Sequence, residues 1–125
     1  MLDQARVMIV EDDVFTAADI ALTVEQADGV VVGPVATVAE ALAILSEVEI
    51  DAAILDCNLL DGDITPVAVR LQSAQIPVVI CSGLGIPKEL AELCPDIPTI
   101  IKPTRAAEVV SRLAEIMKSV PASDG

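Results

Sequence analysis

Short aliphatic runs alternate along this chain with longer amphipathic stretches. The runs are Arg6 to Val10, Val30 to Val35, Ala52 to Leu55, Val78 to Cys81 and Thr99 to Ile101. They are rich in Val and Ile and nearly continuous, the pattern of strands buried on both faces of a parallel sheet. Between the first two, Ala17, Ile20, Val24 and Ala27 recur at helical spacing and predict a helix from Val14 to Ala27, closed by Asp28-Gly29. Thr37 with Glu40 three residues on forms a capping box for a second helix, whose apolar positions include Val38, Ala41, Leu42 and Leu45. Asp63 is the expected cap of a third, with Pro66 tolerated in its first turn and Val67, Leu71 and Ala74 following. A short fourth helix is expected from Pro87 to Leu93, ended by Cys94-Pro95. The last runs from about Arg105 to Lys118 with Val109, Val110, Leu113 and Ile116 on its apolar side. This βα alternation, joined by right-handed crossovers, predicts an α/β fold: a five-stranded parallel sheet with helices on both faces.

A chain of 125 residues suggests one domain, expected over residues 1–120 with a short tail at 121–125. The composition is 54% hydrophobic yet includes one Phe and no Tyr or Trp, so the expected core is aliphatic, and the composition argues against disorder. The net charge of −13 repels nucleic acid and anionic lipid, so neither is an expected partner. With no histidine, the chain has no His-based general base, His metal site or phosphohistidine of its own. Acids in MLDQARVMIVEDD stand where a signal peptide needs its apolar segment. No apolar run reaches the roughly 18 residues of a membrane span. Cys57, Cys81 and Cys94 lack zinc-type spacing and read as buried, reduced thiols of a cytoplasmic protein. Charge is uneven: residues 1–63 hold 14 acids and one base, Arg6, whereas residues 64–125 hold 6 acids and 6 bases.

The polar groups collect at the carboxyl ends of the strands. The first run ends in Glu11-Asp12-Asp13, the third in Asp56, the fourth in Ser82-Gly83 and the fifth in Lys102-Pro103. Ligands of open α/β sheets bind outside these ends. If the first and third strands are neighbours, three or four carboxylates converge beside one hydroxyl and one ammonium. Such carboxylates repel and raise one another's pKa, and a divalent cation resolves the repulsion. All-oxygen ligands favour magnesium, or manganese, over zinc or copper. Lys102 adds a second positive charge, which makes an anion-handling site suited to a phosphoryl group. Asp56, furthest in sequence from the acidic cluster, is the expected nucleophile, since carboxylates accept phosphoryl groups covalently. Each element alone has a bland reading as cap, turn or surface charge. Four strands offering the right group at the same end is hard to ascribe to chance.

Over about residues 5–118, the chain resembles the receiver domain of two-component response regulators. The carrying motifs are VMIVEDD, AAILDCNLLDGD around Asp56, VVICSG and TIIKP, and GPVATVAEAL is similar to stand-alone receivers. The resemblance implies a flavodoxin-like receiver fold with strand order 2-1-3-4-5. It implies Asp56 as phosphoryl acceptor, Asp12 as direct magnesium ligand and Glu11 as an acidic partner acting through water. It makes the backbone carbonyl of Asn58 the third protein ligand. Ser82 matches the switch hydroxyl and Lys102 the lysine that pairs with the acceptor and then with the phosphoryl group. Asp13 is expected to start the first helix instead of binding metal. The implied partners are a sensor histidine kinase or histidine phosphotransfer protein, and a downstream target on the face of the fourth helix, fifth strand and fifth helix. Lys88, Arg105, Arg112 and Lys118 fall in that segment, and they also read as ordinary surface charges. The expected state is a monomer or weak homodimer.

Three departures from the family pattern stand out. Thr99 occupies the position of the aromatic switch partner, three before the lysine, so the usual coupled Ser–aromatic rearrangement cannot operate. The loop after Asp56, Leu59-Leu60-Asp61-Gly62, is about two residues short and lacks the usual proline. Pro103 is followed by Thr104, where Phe is common. The reading is a phosphorylatable switch acting through protein contacts, which catalyses only its own phosphorylation and dephosphorylation. A small magnesium-dependent phosphohydrolase is disfavoured by Asn58, where such enzymes carry a second acid. A phosphorylation-independent interaction module is disfavoured by the complete ligand set. A flavodoxin-like cofactor binder is disfavoured by three acids after the first strand.

Overall fold

Strand alternation divides the aliphatic residues into two cores. In a computed structural model, which describes residues 1–119 and side chains to Lys118, β1 spans Arg6–Val10, β2 Val30–Val35 and β3 Ala52–Asp56. A small hairpin, β4 (Asn58–Leu59) and β5 (Gly62–Asp63), follows; β6 is Val78–Ser82 and β7 Thr99–Ile101. The helices are α1 (Val14–Gln26), α2 (Val38–Glu47), α3 (Thr65–Ser73), α4 (Lys88–Leu93) and α5 (Ala106–Ser119). The tail expected at 121–125 lies outside the described residues. The main sheet is all parallel in the order β2-β1-β3-β6-β7, which is the expected 2-1-3-4-5.

Successive side chains of a strand point to opposite faces. Val7 and Ile9, Ala52 and Ile54, and Val79 and Cys81 therefore pack with Ile20 and Val24 of α1 and with Val109, Val110 and Leu113 of α5. Met8 and Val10, Ala53 and Leu55, and Val78 and Ile80 pack on the other face with Ala41 of α2, Leu71 of α3 and Leu90 of α4. The central strands β3 and β6 are buried along their whole length. The edge strands β2 and β7 are only half-buried, because each has a neighbour on one side only.

Several local expectations need correction. Helix α3 starts at Thr65 with Ile64 as its cap residue, not at Asp63. Asp63 belongs to the hairpin, although its Oδ1 still accepts from Thr65 N at 2.8 Å. Ala74, placed on the apolar side, is the exposed C-cap. Pro87 caps α4 and is not part of it. Helix α1 ends at Gln26, one residue early, and α5 begins at Ala106, one residue late. The Thr37 capping box forms as expected: Thr37 Oγ1 accepts from Glu40 N at 3.1 Å and donates to Glu40 Oε1 at 3.0 Å.

Candidate functional site

The sheet ladder carries the polar residues to one edge. Glu11 extends β1, its N–H bonded to Val35 O at 2.9 Å. Asp56 ends β3 opposite Cys81 of β6. Lys102 extends β7, its N–H bonded to Ser82 O at 2.7 Å. Because β1, β3, β6 and β7 are parallel, all three ends open on the same side. One carboxylate oxygen each of Glu11, Asp12 and Asp56 lies within 4.8 Å of the others. Lys102 Nζ donates to Asp56 Oδ1 at 2.9 Å and to Glu11 Oε1 at 3.3 Å. Cys57 N also donates to Asp56 Oδ1, at 3.0 Å.

Burial is uneven across this group. Glu11 is 4% exposed and Asp56 8%, whereas Asp12 is half-buried and Asp13 exposed. Burial disfavours the Glu11 carboxylate, and the Asp56 charge adds to it; the Asp13 N–H and the Lys102 ammonium oppose them. The outcome is a Glu11 pKa raised from 4.5 to about 7. Burial works against the Lys102 ammonium, but the Asp56 and Glu11 carboxylates outweigh it and hold its pKa above the ordinary lysine value. One ammonium faces three carboxylates, so negative charge is in excess. An oxygen-rich, partly dehydrated donor set of that kind fits a hard dication such as magnesium.

Asp13 stands apart. Its Oδ1 accepts from Phe15 N at 2.9 Å and Thr16 N at 3.0 Å, which makes it the N-cap of α1. The bond from Thr16 N, with that from Phe15 N, lowers its pKa. Asn58 opens the hairpin two residues beyond Asp56 and is exposed. Ser82 is fully buried and does not join the carboxylates. Alternation along β6 sends Cys81 to the α1/α5 face and Ser82 to the other, where its hydroxyl donates to Gly85 O, as does the Cys57 thiol at 3.9 Å. All three cysteines are free and buried. Desolvation pushes the Cys81 thiol up to about 11, which makes it a poor nucleophile.

Two features of the site were not read from the sequence. A cavity of about 610 Å³ adjoins Glu11 and Lys102 between α1 and α5, walled by Phe15, Ile20, Cys81 and Val109. Phe15, the chain's one aromatic, stands at its rim and is 88% exposed. The loop after Asp56 is a hairpin, and its Asp61 bonds the first turn of α2. The Asp61-Gly62 pair is the sequence signal for that turn.

Comparison with known proteins places this geometry. No family model matches the chain, and no curated protein matches it. Among solved structures, SdrG from Sphingomonas melonis Fr1 is 34% identical, with 94% of this chain and 99% of that chain covered at a TM-score of 0.76. A response regulator receiver protein from Sinorhizobium medicae superposes with a TM-score of 0.80 over 95% of this chain and 98% of its own, at 23% identity. The chain belongs to the response-regulator receiver domains. It is also similar in fold to the receiver domain of a sensor histidine kinase from Pseudomonas aeruginosa, at 19% identity, with 92% of this chain and 98% of that one covered and a TM-score of 0.75. That receiver holds a magnesium ion in its active-site cleft. Receiver domains are modules of two-component signalling, and this chain is one of them. Among the described residues, no helix is long and apolar enough to cross a membrane.

Proposed function

We propose that this receiver is a phosphorylatable switch that takes a phosphoryl group on Asp56 from a histidine kinase or a histidine phosphotransfer protein. The observation that carries the reading is the convergence of Glu11, Asp12, Asp56 and Lys102 from three strand ends, with Asp56 Oδ1 bonded to Lys102 Nζ at 2.9 Å. Glu11, Asp12, Asp56 and the Asn58 carbonyl are the groups that would hold magnesium, with manganese as a substitute. When bound, the dication offsets the excess negative charge and draws the oxygens of an incoming phosphoryl group to the site.

Transfer itself is a displacement at phosphorus. An Asp56 carboxylate oxygen forms the new P–O bond as the P–N bond of the donor phosphohistidine breaks. The electron pair leaves with the imidazole nitrogen, which takes up a proton. Lys102 holds Asp56 in place beforehand and offers its ammonium to the phosphoryl oxygens afterwards. Ser82 gives up Gly85 O to donate to the phosphoryl group, which draws on the β6–α4 connection. Phosphorylation adds about −1.5 to −2 of charge, enough to bias loops that already bond these groups. Output passes by protein contact at the face of α4, β7 and α5. The protein catalyses only its own phosphorylation and the hydrolysis that reverses it. A cytoplasmic location accords with three free thiols.

Incubation with magnesium and acetyl phosphate tests the reading. Intact mass should rise by one phosphoryl group, and Asp56→Asn should remove that gain. Persistence of the modification in Asp56→Asn would overturn the acceptor assignment.

A further inference from the structure

The chain between Asp56 and α3 is tied down at both ends. Cys57 N donates to Cys81 O at 3.1 Å, and Ile64 N donates to Cys57 O at 3.0 Å. Between them, Asn58 pairs with Asp63 and Leu59 with Gly62, in a two-stranded ladder. Leu59 is buried in the core under α2 and α3, while Leu60 at the turn is exposed. A ladder this short is marginal by itself. A further tie comes from Asp61. Its Oδ1 accepts from Val38 N at 2.8 Å and its Oδ2 from Ala39 N at 3.1 Å, across more than twenty residues of sequence.

Helix α2 already has its own cap. Thr37 takes the Glu40 N–H, so Asp61 takes the two remaining donors of the first turn, at Val38 and Ala39. Those two bonds lower the Asp61 pKa and keep it ionised at the positive end of the helix. The carboxylate therefore links a fixed helix end to the turn of the hairpin that begins two residues after the phosphoryl acceptor.

We infer that Asp61 is a positioning residue: anchored on α2, it holds the hairpin so that the Asn58 backbone stays at the dication site beside Asp56. The inference rests on the functional reading above. Loss of the anchor lets the hairpin drift from α2 while β3 and Asp56 remain in the sheet. The consequence is weaker dication binding without loss of the acceptor.

The experiment compares Asp61→Ala, Asp61→Asn and Thr37→Ala. Each removes a bond to the same helix turn, but the Thr37 hydroxyl bonds Glu40, whereas the Asp61 carboxylate bonds from the hairpin. Two quantities are read: the urea midpoint, and the magnesium concentration giving half-maximal phosphoryl incorporation from acetyl phosphate. Asp61→Ala and Thr37→Ala should both lower the midpoint. Only Asp61→Ala should raise the half-saturating magnesium, by about 10-fold, the lower range for loss of a group that supports a metal ligand. Asp61→Asn keeps one acceptor oxygen and should fall between. If Asp61→Ala does not fold, Asp61→Asn against Thr37→Ala decides the matter in the same way. An equal magnesium requirement in the Asp61 and Thr37 variants overturns the inference. Failure of the wild-type protein to incorporate phosphate at any magnesium concentration overturns the functional reading instead.

Discussion

Glu11 is the group whose substitution gives the most quantitative test of the site's electrostatics. Its pKa is raised from 4.5 to about 7, first by burial and then by the Asp56 charge. Below the lower value, both folded and unfolded chains carry the proton. Above the upper value, neither does. Between them the folded chain binds one more proton, so its stability falls as pH rises, by about 1.4 kcal/mol per pH unit. Over the window from 4.5 to about 7 the loss comes to roughly 3 kcal/mol. The chain has no histidine, the lowered Asp13 and Asp61 titrate below it, and the raised Lys102 and thiols titrate above it. Glu11→Gln removes the titration but keeps an oxygen that can accept a hydrogen bond. Urea unfolding in EDTA at half-unit steps from pH 5 to 8 measures it. Wild-type stability should decline across the series, and the Glu11→Gln curve should be flatter by about 2.5 kcal/mol in total, since the series starts half a unit inside the window. The slope is compared rather than a single value, so any constant loss from the altered bonds to Asp13 N and Lys102 Nζ cancels. Magnesium should flatten the wild-type curve and leave the variant largely unaffected. Parallel curves for the two proteins in EDTA would mean that Glu11 does not gain a proton on folding in this pH range.

Two further outcomes follow from the same geometry. Asp13→Ala should lower the urea midpoint through loss of the α1 cap, with no change in magnesium titration; a weakened titration would make Asp13 a ligand. Lys102→Ala should act in opposite directions on two quantities. Removing the ammonium that bonds Asp56 and Glu11 should tighten magnesium binding several-fold and slow phosphoryl acceptance by about 10²-fold, as calorimetry and phosphorylation kinetics would show. A variant that binds magnesium less tightly contradicts the charge balance described here.

Much of this molecule is legible in its sequence because local and global signals agree. The strands of Val and Ile could be bounded to within a residue because turn residues flank each one. The Thr37–Glu40 capping box and the Asp13 cap are local motifs whose bonds span at most three residues. Glu11, Asp12, Asp56 and Lys102 could be grouped because a parallel sheet places all its strand ends on one side. What escaped depends on contacts distant in sequence or on orientation. Asp61 looked like a residue of a shortened loop, since nothing local shows that Val38 and Ala39 lie opposite it. Asp63 looked like a helix cap because it does bond Thr65 N, yet hairpin pairing with Asn58 outweighs helix entry. Ser82 was rightly placed at a strand end, but its hydroxyl is held by Gly85 O instead of by a carboxylate, a side-chain choice that strand position does not reveal. The α1/α5 cavity needs two helices separated by eighty residues of chain, which no periodicity reveals.

On the function proposed above, Glu11, Asp12 and Asp56, beside the Lys102 ammonium, hold one dication. Crystals grown with manganese in place of magnesium, with anomalous data collected above the manganese absorption edge, test it most directly. One strong peak bounded by Glu11, Asp12 and Asp56 is expected. A protein that binds manganese at another acidic patch, with no peak between those three side chains, would contradict it.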